Sequence, residues 1–203
     1  LHDALPICLY RYDGYDFKSY KHNPQNLNSL ADNYIYSLFE DNRGTLWIGT
    51  GIGVLHKYNA QQDSFIRFPF DKNHPNTLES TSFIFSIIQS NEALWIATFG
   101  GGISRFDLNS EKMTHNYRYD ANDKTSLSDN KVYTLLADSH GFIWVGTRNG
   151  GLNRFNPKSG KFKRYQHHPN NPTSLSHNRV YTLLEDAAGT LWIGTRGGGL
   201  NRF

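Results

Sequence analysis

The chain has 203 residues, 37% of them hydrophobic and 14% aromatic, with 21 Lys and Arg against 18 Asp and Glu. A net charge of +3, spread along the chain, excludes a nucleic-acid footprint, and no apolar run reaches the ~18 residues of a membrane-spanning helix. The single cysteine, Cys8, excludes an internal disulfide framework and a cluster of zinc-binding thiolates.

In chain order, the opening LHDALPI and Cys8 share no phase with the rest of the sequence, and residues 1–8 read as a non-native leader. From Leu9 the sequence repeats. Tryptophan recurs as Trp47, Trp95, Trp144 and Trp192, at spacings of 48, 49 and 48. Thr50, Thr98, Thr147 and Thr195 keep the same beat, as do the Ser-Leu or Thr-Leu pairs beginning at Ser29, Thr77, Ser126 and Ser174. The third copy shows how one period divides. Lys131 to Ala137 reads as a first strand, DSHG as a turn, Phe142 to Thr147 as a second strand and RNGG as a loop. Leu152 to Phe155 lies in a third strand, and after the turn NPKSG the fourth runs from Lys161 to Gln166. An Asn- and Pro-rich link then leads to the next copy. The second copy departs: Ala97 replaces the glycine, SNE replaces the turn, a residue is gained before Phe83 and one is lost after Ile88. That unit is expected to have reshaped edges.

A four-stranded antiparallel unit repeating at about 48 residues predicts an all-β chain, a β-propeller whose blades pack face to face around an axis. Both faces of each sheet are then partly buried, which explains runs such as VYTLL that do not alternate cleanly. The tryptophans are expected to be structural wedges between blades; burying ~150–250 Å² of indole is worth about 4–6 kcal/mol. The expected division is a partial blade at 9–30, blades at 31–78, 79–127 and 128–175, and a partial blade at 176–203. Leu9 to Tyr12 stands in the phase of Leu200 to Phe203, so third strands are expected at both ends. The sequence therefore reads as an incomplete fragment of a larger propeller.

The pattern VYTLLEDxxGTLWIGTxxGGLNRF, followed by FKRY and a link to SLSxN, resembles the two-component regulator propeller repeat across residues 9–203. The resemblance implies the extracytoplasmic sensor region of a bacterial hybrid histidine kinase, or of a protein ending in a diguanylate cyclase. It further implies a periplasmic location, an inner-membrane parent protein and a small-molecule ligand, often an oligosaccharide. Signal would pass to a downstream signalling domain, with a homodimer as one option. No kinase, receiver or cyclase motif lies within the chain, and no cofactor is expected.

Candidate ligand-binding residues are set by loop topology. In a meander, the loops after the second strand share a face with the links entering the first, around the mouth of the central channel. Tyr34, Phe83, Lys131 and Arg179 precede the first strands; Phe99, Arg148 and Arg196, with Gly51, come after the second. Aromatic and cationic side chains at a rim suit stacking on sugar rings and bonding to hydroxyl or acidic groups. Asn33, Asn130 and Asn178 are expected to cap backbone groups.

No catalytic residue and no metal ligand is assigned. The glycine runs at 100–102 and 197–199 precede strands, whereas a phosphate cradle precedes a helix. Asp41, Asp138 and Asp186 sit at Gly-ended hairpin turns, and His167 and His168, adjacent on an extended link, point apart. The alternatives to a sensor are a protein-interaction scaffold and a non-catalytic piece of a propeller enzyme.

Overall fold

The computed structural model describes residues 8–68 and 82–203. Residues 1–7 of the expected leader and the Thr77–Leu78 pair lie outside these. Every regular element among the described residues is a strand, and each sheet is an antiparallel meander in chain order. A two-stranded sheet holds β1 (Leu9–Tyr12) and β2 (Phe17–Tyr20). Three four-stranded blades come next: β3 (Ile35–Glu40), β4 (Leu46–Thr50), β5 (Leu55–Asn59) and β6 (Ser64–Phe68); β7 (Ile84–Ser90), β8 (Ala93–Thr98), β9 (Gly102–Asp107) and β10 (Lys112–Tyr117); β11 (Val132–Ala137), β12 (Ile143–Thr147), β13 (Leu152–Asn156) and β14 (Lys161–Tyr165). The last sheet has three strands, β15 (Val180–Glu185), β16 (Leu191–Thr195) and β17 (Gly199–Arg202). The pairing of β1 with β2, Leu9 opposite Tyr20 and Tyr12 opposite Phe17, repeats that of β13 with β14, Leu152 opposite Tyr165 and Phe155 opposite Phe162.

The sheets stand in a row, with first strands packed in the order β3, β7, β11 and β15. The tryptophan of one blade meets the third-strand phenylalanine of the next. Trp47–Phe106, Trp95–Phe155 and Trp144–Phe203 all have centroids 5.2 Å apart in edge-on packing. The glycine two residues after Trp144 is fixed by this stacking: a Cβ on Gly146 would lie 2.6 Å from Thr134 Cγ2 and 2.7 Å from Val180 Cγ1 of the next blade.

The turn aspartates carry more than a turn. Trp47 Nε1 donates to Asp41 Oδ2 at 2.8 Å, and the amides of Arg43 and Thr45 donate to Oδ1 at 3.0 and 2.8 Å. Asp138 holds Trp144 and Asp186 holds Trp192 in the same way. Burial alone would raise the Asp41 carboxyl, but these bonds hold it below the usual range; at Asp186 the indole bond is the chief cause of the same shift. The second blade lacks the aspartate. Its turn is shortened to Asn91 and Glu92, with Asn91 at φ 53°, and an extra bulge enters β10 between Met113 and His115. That blade's edges are thus reshaped.

The links tie each sheet to the next. Arg164 of β14 donates to the carbonyls of Asp123, Ser126 and Leu127 in the link that enters its own blade, and Arg67 of β6 does the same with Asn26, Ser29 and Leu30. Asn33, Asn130 and Asn178 each accept a backbone amide, from His22, Tyr119 and His167, at 2.7 Å. The His167 ring bonds the carbonyl of Leu175 at 2.8 Å. Among the described residues no three His, Cys, Asp or Glu side chains group to hold a metal.

Candidate functional site

The rim is built from backbone pairing. Each loop leaving a second strand folds back on the residue preceding its own first strand. Gly51 N–H donates to Tyr34 O and Phe99 N–H to Phe83 O, both at 2.9 Å. Arg148 N–H donates to Lys131 O at 2.8 Å and Arg196 N–H to Arg179 O at 2.9 Å. The rim residues named from the sequence are therefore partners, two to a blade. The same loops meet the link of the next blade: Gly100 N–H donates to Asn130 O and Gly151 N–H to Asn178 O, at 2.9 Å each. Loops and links share one face.

Side chains add contacts within these pairs and across blades. Phe83 stacks on Phe99 with centroids 6.3 Å apart. Lys131 Nζ and Arg148 Cζ, from the next blade, lie 5.8 and 5.5 Å from the Phe99 centroid, within cation–π reach. Arg179 Nε donates to Arg148 O at 3.3 Å. Tyr34 and Arg196 stand exposed at the two ends of this series.

Four further residues were not singled out by sequence reasoning: Tyr36, Phe85, Tyr133 and Tyr181. Each is the second residue of a first strand, and each is the bulged residue of that strand. Pairing steps from Ile35 to Ser37 opposite Thr50 and Gly49, and the same slip occurs at Ile84/Ser86, Val132/Thr134 and Val180/Thr182. A bulge takes one residue out of the pairing and re-aims its side chain. The available signal was an aromatic residue at one phase of every copy, hidden because a bulge breaks the alternation by which strand faces are assigned. Burial first, then a hydrogen bond with Tyr181, raises the Tyr133 phenol. Desolvation would raise Tyr181 too, but bonds with Tyr133 and Arg196 and the charges of Arg196 and Arg179 hold it below the usual range.

Clefts also lie away from the rim. One runs beside β17, between Leu152, Tyr165, Leu175, Ile193, Asn201 and Phe203; another lies between β2 and β6, lined by Tyr20, Asn26, Ser29, Asp63 and Phe65. They run along the outer strands and include none of the seven candidate ligand residues.

Residues 29–51, 126–149 and 174–197 match the two-component regulator propeller family. These three stretches are similar to the repeat of that family. The matched stretches are the link and first two strands of the blades that keep the Asp–Trp bond. A 96-residue part, 46% of the chain, is 31% identical to histidine kinase P4 of Formosa agariphila and covers 7% of it. The fold superposes on the extracellular domain of a putative hybrid two-component system of B. thetaiotaomicron with a TM-score of 0.79 and 22% identity, over 97% of this chain and 25% of that one. It also superposes on the WD40 β-propeller domain of Doa1, with a TM-score of 0.62 and 9% identity, over 87% of this chain and 52% of that one. The fold is that of propeller blades, and the chain spans 7% of the histidine kinase and a quarter of the two-component system's extracellular domain.

Proposed function

We propose that the chain is the ligand-sensing propeller region of a bacterial two-component-type signalling protein. It lies outside the cytoplasm, in the periplasm, as part of an inner-membrane protein. It recognises a carbohydrate or other small ligand at the rim and passes the signal to a downstream output domain of the phosphorelay. The observation that carries this reading is the pairing of variable aromatic and cationic residues on one face of an otherwise repeated framework. Framework positions such as Asp138, Trp144 and Gly146 have packing reasons to be what they are; Phe83, Phe99, Lys131, Arg148 and Arg196 have none as strong. The family match and the likeness to a histidine kinase support the same reading. A ligand acts on a distant output only through different affinities for two states, so a rim spanning several blades suits a signal read as their relative position.

The test is titration of the full-length gene product with an oligosaccharide panel, monitoring melting temperature and output-domain activity together. At least one saccharide is expected to raise the melting temperature and change the output. Arg148→Ala with Arg196→Ala is expected to weaken that response and leave melting of the free protein unchanged. Undiminished affinity of a verified ligand for the double variant would remove these two positions from the site.

A further inference from the structure

The four bulge aromatics form a ladder. Ring centroids lie 5.1 Å apart for Tyr36 and Phe85, 5.6 Å for Phe85 and Tyr133, and 4.7 Å for Tyr133 and Tyr181. The cores between sheets are built from other residues, and Tyr36 and Tyr181 remain 42% and 41% exposed. Four bulges at one phase, each carrying an aromatic ring outside the core, mark placed side chains rather than irregularities.

Charge is distributed unevenly along the same row. The first two blades add Tyr34, Phe83 and Phe99 beside the ladder; the last two add Lys131, Arg148, Arg179 and Arg196. Among the described residues none of these cations takes part in an ion pair. Asp129, an acid on that part of the rim, has its oxygens engaged by the amides of Lys131 at 3.0 Å and Asn149 at 2.9 Å. In the last sheet His177 stands in its place, Nδ1 accepting the Arg179 amide at 2.9 Å. A row of aromatic rings that ends among uncompensated guanidinium groups is complementary to an anion carried on rings with apolar faces.

We propose that the ladder and the cationic rim form one elongated site for an acidic oligosaccharide. Its pyranose rings lie along Tyr36, Phe85, Tyr133 and Tyr181, and its carboxylate or sulfate groups meet Arg148, Arg179 and Arg196. This rests on the sensor reading above and adds to it the ligand's charge and the axial ladder. Pyranose C–H faces cover aromatic rings, while the guanidinium fork matches carboxylate and sulfate oxygens in pairs. Arg179 and Arg196, paired through their backbones, place two cations on one stretch of the rim.

The experiment is calorimetric titration of the full-length gene product with oligogalacturonides, their methyl esters and heparin-derived oligosaccharides, at low and high salt. Expected is binding of an acidic probe that weakens with salt, with the corresponding methyl ester at least roughly tenfold weaker where the carboxylate probe binds. Arg179→Gln with Arg196→Gln costs roughly tenfold for the acidic probe and leaves melting unchanged. Tyr133→Leu weakens every saccharide that binds; where it also lowers melting, Tyr181→Leu at the exposed rung gives the same reading. Tight binding of the neutral ester, indifferent to the arginine substitutions, overturns the acidic class and leaves the sensor reading standing. Binding unaffected by either ladder substitution overturns the ladder. Failure of every saccharide, acidic or neutral, to bind a normally melting protein overturns the oligosaccharide site, and leaves the sensor reading with a ligand of another class.

Discussion

Equivalent residues in the interior and terminal sheets differ sharply in burial. Ile87 and Leu135, at one position of the first strand, are each 5% exposed, whereas Leu38 at the same position is 54% exposed. On the opposite face Leu136 packs into the core with Trp144 and Val180, while its counterpart Leu184 is 60% exposed. The residues are alike and so are the strands. Only the neighbour differs: Leu38 faces the two-stranded sheet of β1 and β2, and Leu184 faces no further sheet among the described residues. A blade therefore does not bury its own faces. Stability is a sum over interfaces between neighbours, as in other repeat architectures.

The largest expected effect tests that sum. Trp144→Ala removes the indole from the Phe203 and Tyr165 rings and from the Asp138 carboxylate, and is expected to destabilise by about 3–5 kcal/mol. Trp192 keeps its Asp186 bond but is only half-buried, so Trp192→Ala should cost about 1–2 kcal/mol. Urea unfolding of the two variants compares them directly. Equal losses would mean that the neighbouring blade is not the source of the tryptophan's contribution.

The next effect lies in one interior position that departs from its counterparts. Asn153 and Asn201 each accept a link amide on Oδ1 and donate through Nδ2 to a serine hydroxyl. In the first blade the residue is His56, fully buried, whose Nε2 accepts the Ala31 amide at 2.9 Å while Nδ1 has no hydrogen-bond partner. Burial, and then the charge of Arg67, lowers its pKa from 6.5 to about 4. The unfolded chain thus binds the extra proton between those values. Stability contributed by the neutral ring is complete above about pH 6.5 and is lost as pH falls toward 4, by about 3 kcal/mol. His56→Asn, which installs the residue of the third blade and the last sheet, should flatten the unfolding midpoint across that range. Persistence of the slope would assign it to other groups.

Much of this was legible in the sequence because the period and the turns are strong local signals. The third copy's strands fall within a residue of their expected limits, and the three asparagines cap amides as expected. That these loops and links share one face was legible for the same reason, since loop parity in a meander fixes which ends meet; the backbone pairs between them were not. What escaped were features that depend on side-chain direction. The Asp–Trp bond is present in the sequence as a constant spacing of six residues, but turn chemistry alone accounts equally well for an aspartate there. The ladder escaped because a bulged residue leaves the two-residue alternation. His56 escaped because nothing local distinguishes a buried acceptor from a surface histidine.

The smallest expected effect sharpens the comparison at a single carbon atom. A Cβ on Gly146 meets Thr134 within its own sheet and Val180 of the next blade, while a Cβ on Gly194 meets only Thr182 at close range. Gly146→Ala is therefore expected to cost about 1–3 kcal/mol and Gly194→Ala less than about 1 kcal/mol, because a side chain with no sheet beyond it can turn away. The second blade contains a natural form of the substitution. Ala97 is fully buried there, opposite Ser86 rather than a threonine, and the Ser86 hydroxyl accepts the Leu135 amide of the next blade at 3.3 Å. A serine opposite lacks the Cγ2 methyl that a Cβ on Gly146 would meet at 2.6 Å on Thr134. Thr134→Ser is accordingly expected to recover most of the loss caused by Gly146→Ala when both are present. A pair that is simply additive in thermal unfolding would place the strain at Val180, and so at the interface between blades rather than within one.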